Sequence, residues 1–243
     1  MKYSLLEWSS LIISILAIFW ITLVYTFSPC LPPELQKIDK KELFQNGSLL
    51  NGDLSNGDLS NGDLLFLSGS TFAEKVIKFW HNSYYSHVAI IFEDYRGVKN
   101  PTKENTLFVW ESDIGQNTKE GPRIMKLSDK LNKWKGDKIG MIRKYYGPRP
   151  STLNIMNIVV QHIGKGMDLN MTAWFFSEFP DSTIFKHFKK NGEMFCSELV
   201  AKTLQSLDII EDDRHPASYT PQDFSVIVPK KGFYSFPIYF KTQ

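Results

Sequence analysis

Three residues of this chain have the types needed for a nucleophilic site: Cys196, His87 and Glu111. Cys196 opens a run in which Cys196, Leu199, Val200, Thr203, Leu204 and Leu207 fall at i, i+3, i+4, i+7, i+8 and i+11, one continuous helix face. A helix N-terminus and an imidazole within hydrogen-bond reach are two ways of lowering a thiol pKa and making the sulfur nucleophilic. His87 is the best-placed imidazole, because Ser86–Phe92 is β-rich and alternation puts His87 on one strand face with Ala89 and Ile91. Glu111 shares a face with Leu107 and Val109, so a carboxylate there breaks an apolar pattern and calls for a reason. Acyl-transfer chemistry supplies one, since a third, acidic group fixes the tautomer of the imidazole and stabilises its cation. Each residue also has a plainer reading: Cys196 as a small core residue, His87 as a strand-start side chain bonded to backbone, Glu111 as a solvated strand end. His81 lies by a helix end, where its charge suits the dipole, and His162, His187 and His215 lack a strand and acid beside them.

The elements that must position these residues are legible as short segments. Gly62–Leu67 is an apolar run after a turn signal and predicts the first strand of a folded domain beginning near Asn61. Thr71 and Glu74 have capping-box spacing, and Phe72, Val76, Ile77 and Trp80 recur at helical intervals, which predicts a helix over about 72–81. Ser86–Phe92 and Leu107–Glu111 predict two antiparallel neighbours, and Lys138–Arg143 predicts a further strand. Leu153–Ile163 reads as a buried helix ending at Gly164. The polar stretch Asn170–Gly192 reads as a surface insertion rather than the lid of a cleft.

Ahead of this domain, Trp8–Phe27 runs 20 residues without a charge, long enough at ~1.5 Å per residue to span a ~30 Å hydrocarbon layer. Trp8 and Tyr25 suit interfacial belts, and Pro29, Pro32 and Pro33 lie just beyond. A retained single-pass anchor is expected over a cleaved signal peptide, because Thr26-Phe27-Ser28-Pro29 offers no small-residue cleavage site. Lys37, Lys40 and Lys41 against Lys2 lean toward a cytosolic C-terminal domain, in which the sequons at Asn46 and Asn170 go unused. Cys30 is read as an unmodified thiol beside the anchor rather than a palmitoylation site. Residues 51–65 repeat Asn-Gly-Asp-Leu-Ser/Leu three times, too few copies to stack a core, and are read as a polar spacer. The organisation expected is therefore a membrane anchor over 1–36, a polar linker over 37–60 and a domain over 61–243.

Composition narrows the function classes. With 42% hydrophobic residues and 22% charged, the chain is apolar enough for one ordinary core. A formal charge of +2 gives no basic field for nucleic acid, so no nucleic-acid partner is expected. Two cysteines exclude a disulfide scaffold and the Cys-rich zinc motifs, and no Walker or Rossmann glycine loop is present; neither metal nor organic cofactor is expected.

The ordered set Gly62-Asp63-Leu64-Leu65-Phe66, Ser86-His87-Val88-Ala89-Ile90, Val109-Trp110-Glu111-Ser112, Phe195-Cys196-Ser197-Glu198-Leu199-Val200 and Tyr219-Thr220-Pro221-Gln222-Asp223-Phe224 resembles the circularly permuted papain-like, NlpC-type cysteine hydrolases, with their bacterial YiiX-type and poxviral members. The histidine precedes the cysteine, the reverse of papain order. The resemblance implies an α+β fold in which an antiparallel sheet packs against the helix carrying the cysteine. It also implies that Cys196 is the nucleophile, His87 the base and Glu111 the residue that orients the histidine. Ala89 stands where glycine is common in that family, Ser112 where alanine is usual, and Met167-Asp168 where a Tyr-Asp pair often follows the central helix. The function expected is a membrane-anchored cysteine hydrolase acting on a peptide, another amide or an ester. A lipid acyltransferase or phospholipase of the same fold and a tethered protein without turnover are the alternatives.

Overall fold

The computed structural model describes residues 14–22, 24, 59–93, 107–113, 121–134, 136, 139–167, 177, 179–189 and 193–241. Six strands form one antiparallel sheet: β1 (Leu64–Leu67), β2 (His87–Glu93), β3 (Leu107–Asp113), β4 (Gly121–Lys126), β5 (Ile139–Arg143) and β6 (Ile238–Lys241), in the order β4-β3-β2-β1-β5-β6. The helices are α1 (Phe72–Trp80), α2 (Leu127–Lys133), α3 (Thr152–His162), α4 (Thr183–Phe188), α5 (Cys196–Ser206) and α6 (Pro221–Val226). Residue alternation along each strand splits the apolar side chains between two faces. Leu64, Phe66, Val88, Ile90 and Trp110 pack with Leu199, Val200 and Leu204 of α5 on one face. Leu65, Leu67, Ala89, Ile91 and Val109 pack with Leu127 and Leu131 of α2 on the other. The result is an α+β fold with a helix on each side of the central strands.

The expected membrane-spanning helix is corrected by the structure. Among the described residues no helix is long and apolar enough to cross a membrane. Within the stretch expected to span, the described helical residues are 14–22 and 24. The rest of that stretch lies outside the described residues, as do Cys30, Asn46 and Asn170. The single-pass placement inferred from this segment, and the cytosolic side assigned with it, are therefore not carried forward.

The third copy of the pentapeptide repeat is part of the fold. Asp63 is fully buried and accepts hydrogen bonds from the Tyr145 amide at 2.8 Å and the Ser60 amide at 3.0 Å, with Arg149 at 3.1 Å. Asn61 donates to the Pro150 carbonyl at 2.9 Å and accepts from the Glu93 amide at 2.8 Å. Gly62 between them has a positive φ of 94°, which favours glycine. The turn thus ties the start of β1 to the ends of β2 and β5. The first copy and part of the second lie outside the described residues.

Candidate active site

Cys196 is the first residue of α5 and is 8% exposed. The helix start is held by Glu198, whose carboxylate accepts from the Phe195 amide at 3.2 Å and pairs with Lys189 at 2.6 Å. The Lys189 ammonium also lies over the Phe195 ring. The Cys196 thiol donates toward the Ser86 carbonyl at 3.8 Å, which puts the sulfur against the residue that precedes β2.

His87 is the first residue of β2, and its side chain belongs to the sheet face covered by α2, whereas α5 covers the opposite face. Thiol and imidazole therefore approach from different layers and meet around the end of the strand. His87 Nε2 lies 2.8 Å from Glu111 Oε2. With Nε2–H donating to the carboxylate, Nδ1 is the nitrogen left to accept the thiol proton. Burial and the charge of Lys130 both push the His87 pKa down. Hydrogen bonds to Cys196 and Glu111, with the Glu111 charge, outweigh them and raise it to about 9.

Glu111 is fully buried yet carries four polar contacts. Oε2 receives His87 and the Lys130 ammonium, the latter at 2.7 Å. Oε1 receives Arg123 Nε at 3.0 Å and Nη2 at 2.9 Å. Burial alone would raise this carboxyl pKa, but the charges of Lys130, His87 and Arg123 and the His87 hydrogen bond hold it well below the ordinary carboxylate range. Asp113, two residues along β3 and so on the same face, binds the same two cations, Arg123 at 2.8 Å and Lys130 at 2.6 Å. His87, Glu111 and Asp113 put ligand-type atoms within 4.8 Å of one another, as a metal centre would. Both Glu111 oxygens and Asp113 Oδ2 are already taken by two protein cations, so the donor set does not fit a resident metal ion.

These side chains open on a cavity of about 330 Å³ bordered by Ser86, His87, Cys196, Trp134 and Tyr219, with Met167 and Ser177 also on its wall. Met167 and Ser177 bring the central helix end and the Asn170–Gly192 stretch to the site, so that stretch contributes at least Ser177 to the cleft. Asp168 lies outside the described residues. Ser112 is buried and donates to the Met194 carbonyl at 2.6 Å, which ties β3 to the loop leading into Cys196. His162, His187 and His215 do not border the cavity, whereas His81 does.

Sequence reasoning missed Arg123, Lys130 and Asp113. Asp113 was detectable as a second acid on the Glu111 face. Lys130 carried no such signal, since a lysine near Leu127 and Leu131 reads as a solvated helix position.

No protein family and no curated protein matches the sequence. Among solved structures, the chain is similar to the metalloprotein yiiX from Escherichia coli O157:H7. The two are 16% identical, the match covers 73% of this chain and 88% of that one, and the TM-score is 0.43. The likeness is distant, and the chemistry rests on this chain's own residues.

Proposed function

We propose that this chain is a cysteine hydrolase of the permuted papain-like, NlpC type, cleaving an amide or ester through an acyl-enzyme on Cys196. The observation that carries the reading is the buried His87–Glu111 pair at 2.8 Å on the wall of the cavity that Cys196 also borders. Buried charge is costly unless used or paired, and this arrangement does both.

In the proposed reaction the thiol proton already rests on His87 Nδ1, in keeping with its raised pKa, and the Cys196 thiolate Sγ bonds to the substrate carbonyl carbon. The carbonyl oxygen takes the electron pair, and the Cys196 backbone N–H at the helix start supplies one donor to it. When the tetrahedral centre collapses, the bond to the amine or alkoxide breaks, and His87 returns its proton to that leaving group. Water, deprotonated by His87, then attacks the thioester and releases the acid and the free thiol. Glu111 holds the imidazole in the tautomer and direction these steps need.

Labelling by iodoacetamide tests the activated pair without a known substrate. On the full chain, peptide mass spectrometry separates Cys196 from Cys30. Cys196 is expected to label readily below pH 7, and His87→Ala is expected to slow that labelling by at least about tenfold. Labelling of Cys196 only above about pH 8 in both proteins, as for a free thiol, would overturn the reading. Once a substrate is found, Cys196→Ala is expected to abolish turnover.

A further inference from the structure

We propose that Lys130 is a positioning residue for this site: with Arg123 and Asp113 it closes a neutral four-charge layer that fixes Glu111 and sets the charge His87 faces. The proposal rests on the cysteine-hydrolase reading for its meaning in catalysis, and on geometry for its content.

Lys130 is buried, 3% exposed, on α2. Its ammonium bridges Glu111 Oε2 at 2.7 Å and Asp113 Oδ2 at 2.6 Å. Arg123 of β4 bridges the same two carboxylates from the other side, at 2.9 and 2.8 Å. Both Glu111 oxygens are thereby occupied, and the carboxylate has no second orientation that keeps these bonds. Lys130 also lies 5.1 Å from the centre of the Trp134 ring, and Trp134 is the aromatic residue against the imidazole, ring centres 6.1 Å apart. One ammonium thus touches both the group that hydrogen-bonds His87 and the ring that flanks it.

The charge count gives the layer a testable sign. Two carboxylates and two cations cancel, so His87 sits beside no net charge. Removal of Lys130 leaves one excess negative charge and favours the imidazolium; removal of the Asp113 charge leaves one excess positive charge and disfavours it. The other ionisable groups around His87 are Cys196 of α5 and, on the cavity wall, Glu74 of α1, His81 just after α1, Lys133 of α2 and Tyr219. Neither substitution changes any of them. A residue that served only to pack α2 on the sheet would not move the His87 titration in opposite directions on the two substitutions.

The test is an NMR titration of histidine-labelled full chain, with the His87 signal assigned by its loss in His87→Ala. Lys130→Met is expected to raise the His87 midpoint and Asp113→Asn to lower it, each by about one pH unit, or tenfold in proton affinity. Lys130→Arg keeps the charge and is expected to stay near wild type. Midpoints that do not move, or that move in the same direction, overturn the proposal. If Lys130→Met fails to fold, Asp113→Asn decides alone, and a midpoint at or above wild type overturns it. Iodoacetamide labelling on the same samples separates the two levels. Opposite shifts without activated Cys196 in wild type reject the hydrolase reading alone, whereas an activated Cys196 without those shifts rejects the role of Lys130 alone.

Discussion

Glu111 accepts from His87, Lys130 and Arg123 at once, and that saturation explains how a carboxylate survives on a fully buried strand face. An unpaired charge there would cost several kcal/mol. The sequence betrayed it because Leu107 and Val109 made an acid on their face anomalous. The two cations were not legible in the same way, since neither interrupts an apolar pattern and their pairing depends on how β4 and α2 return to β3. Ser112 is the neighbouring case. Its hydroxyl donates to the Met194 carbonyl two residues before Cys196, in a buried setting. Ser112→Ala is expected to lower stability by about 1–3 kcal/mol, because the carbonyl loses its buried donor. It is also expected to slow iodoacetamide labelling of Cys196 as the loop relaxes. Urea unfolding and labelling on one preparation check both, and unchanged values in each would make the contact incidental.

Elements with strong local periodicity came out of the sequence nearly whole. The helix expected over 72–81 runs Phe72–Trp80 behind its Thr71–Glu74 capping box, and the helix expected over 153–163 runs Thr152–His162. The strands around His87 and Glu111 pair antiparallel, Ile90 opposite Trp110. What stayed unread is β4, α2, β6 and the short helices α4 and α6. β4 opens on Gly121-Pro122 and carries Arg123 and Lys126, so it lacks an apolar strand pattern. α2 is two turns long, with Leu127 and Leu131 as its buried leucines, too little for periodicity to register. For the apolar run near the N-terminus, the described residues hold no helix long and apolar enough to cross a membrane, contrary to expectation. Docking of α5 rests on contacts no periodicity exposes, among them the Trp110 indole donating to Thr203 Oγ1 at 3.1 Å, both side chains fully buried. Thr203→Val keeps the shape and removes the acceptor. It is expected to cost about 1–3 kcal/mol, readable in the urea midpoint, with Cys196 labelling little changed, since Thr203 lies two turns from the thiol. A stability equal to wild type would show that the indole finds another partner.

Across the whole molecule, the charge layer joins the site to the fold, because the ion pairs that orient His87 also tie α2 and β4 to β3. This gives stability a particular dependence on pH. Glu111 has a folded pKa held well below its ordinary value of 4.5. A depressed carboxylate contributes stability above its unfolded pKa and loses it as pH falls toward the folded value, because the unfolded chain binds a proton that the folded one does not. Below pH 4.5, Glu111 therefore adds a slope of up to about 1.4 kcal/mol per pH unit. Asp63 is shifted the other way, its burial outweighing its hydrogen bonds and the Arg149 charge, but its share is common to any variant that leaves it in place. Glu111→Gln is accordingly expected to act twice. At pH 7 it lowers stability by about 3–5 kcal/mol, because Lys130 stays buried with one fewer counter-charge. Between pH 4.5 and pH 3 its stability falls less steeply than that of wild type, so the two urea-unfolding curves converge as the solution is acidified. Parallel curves over that interval would mean that Glu111 titrates alike in the folded and unfolded chain, which its contacts with Lys130, Arg123 and His87 forbid.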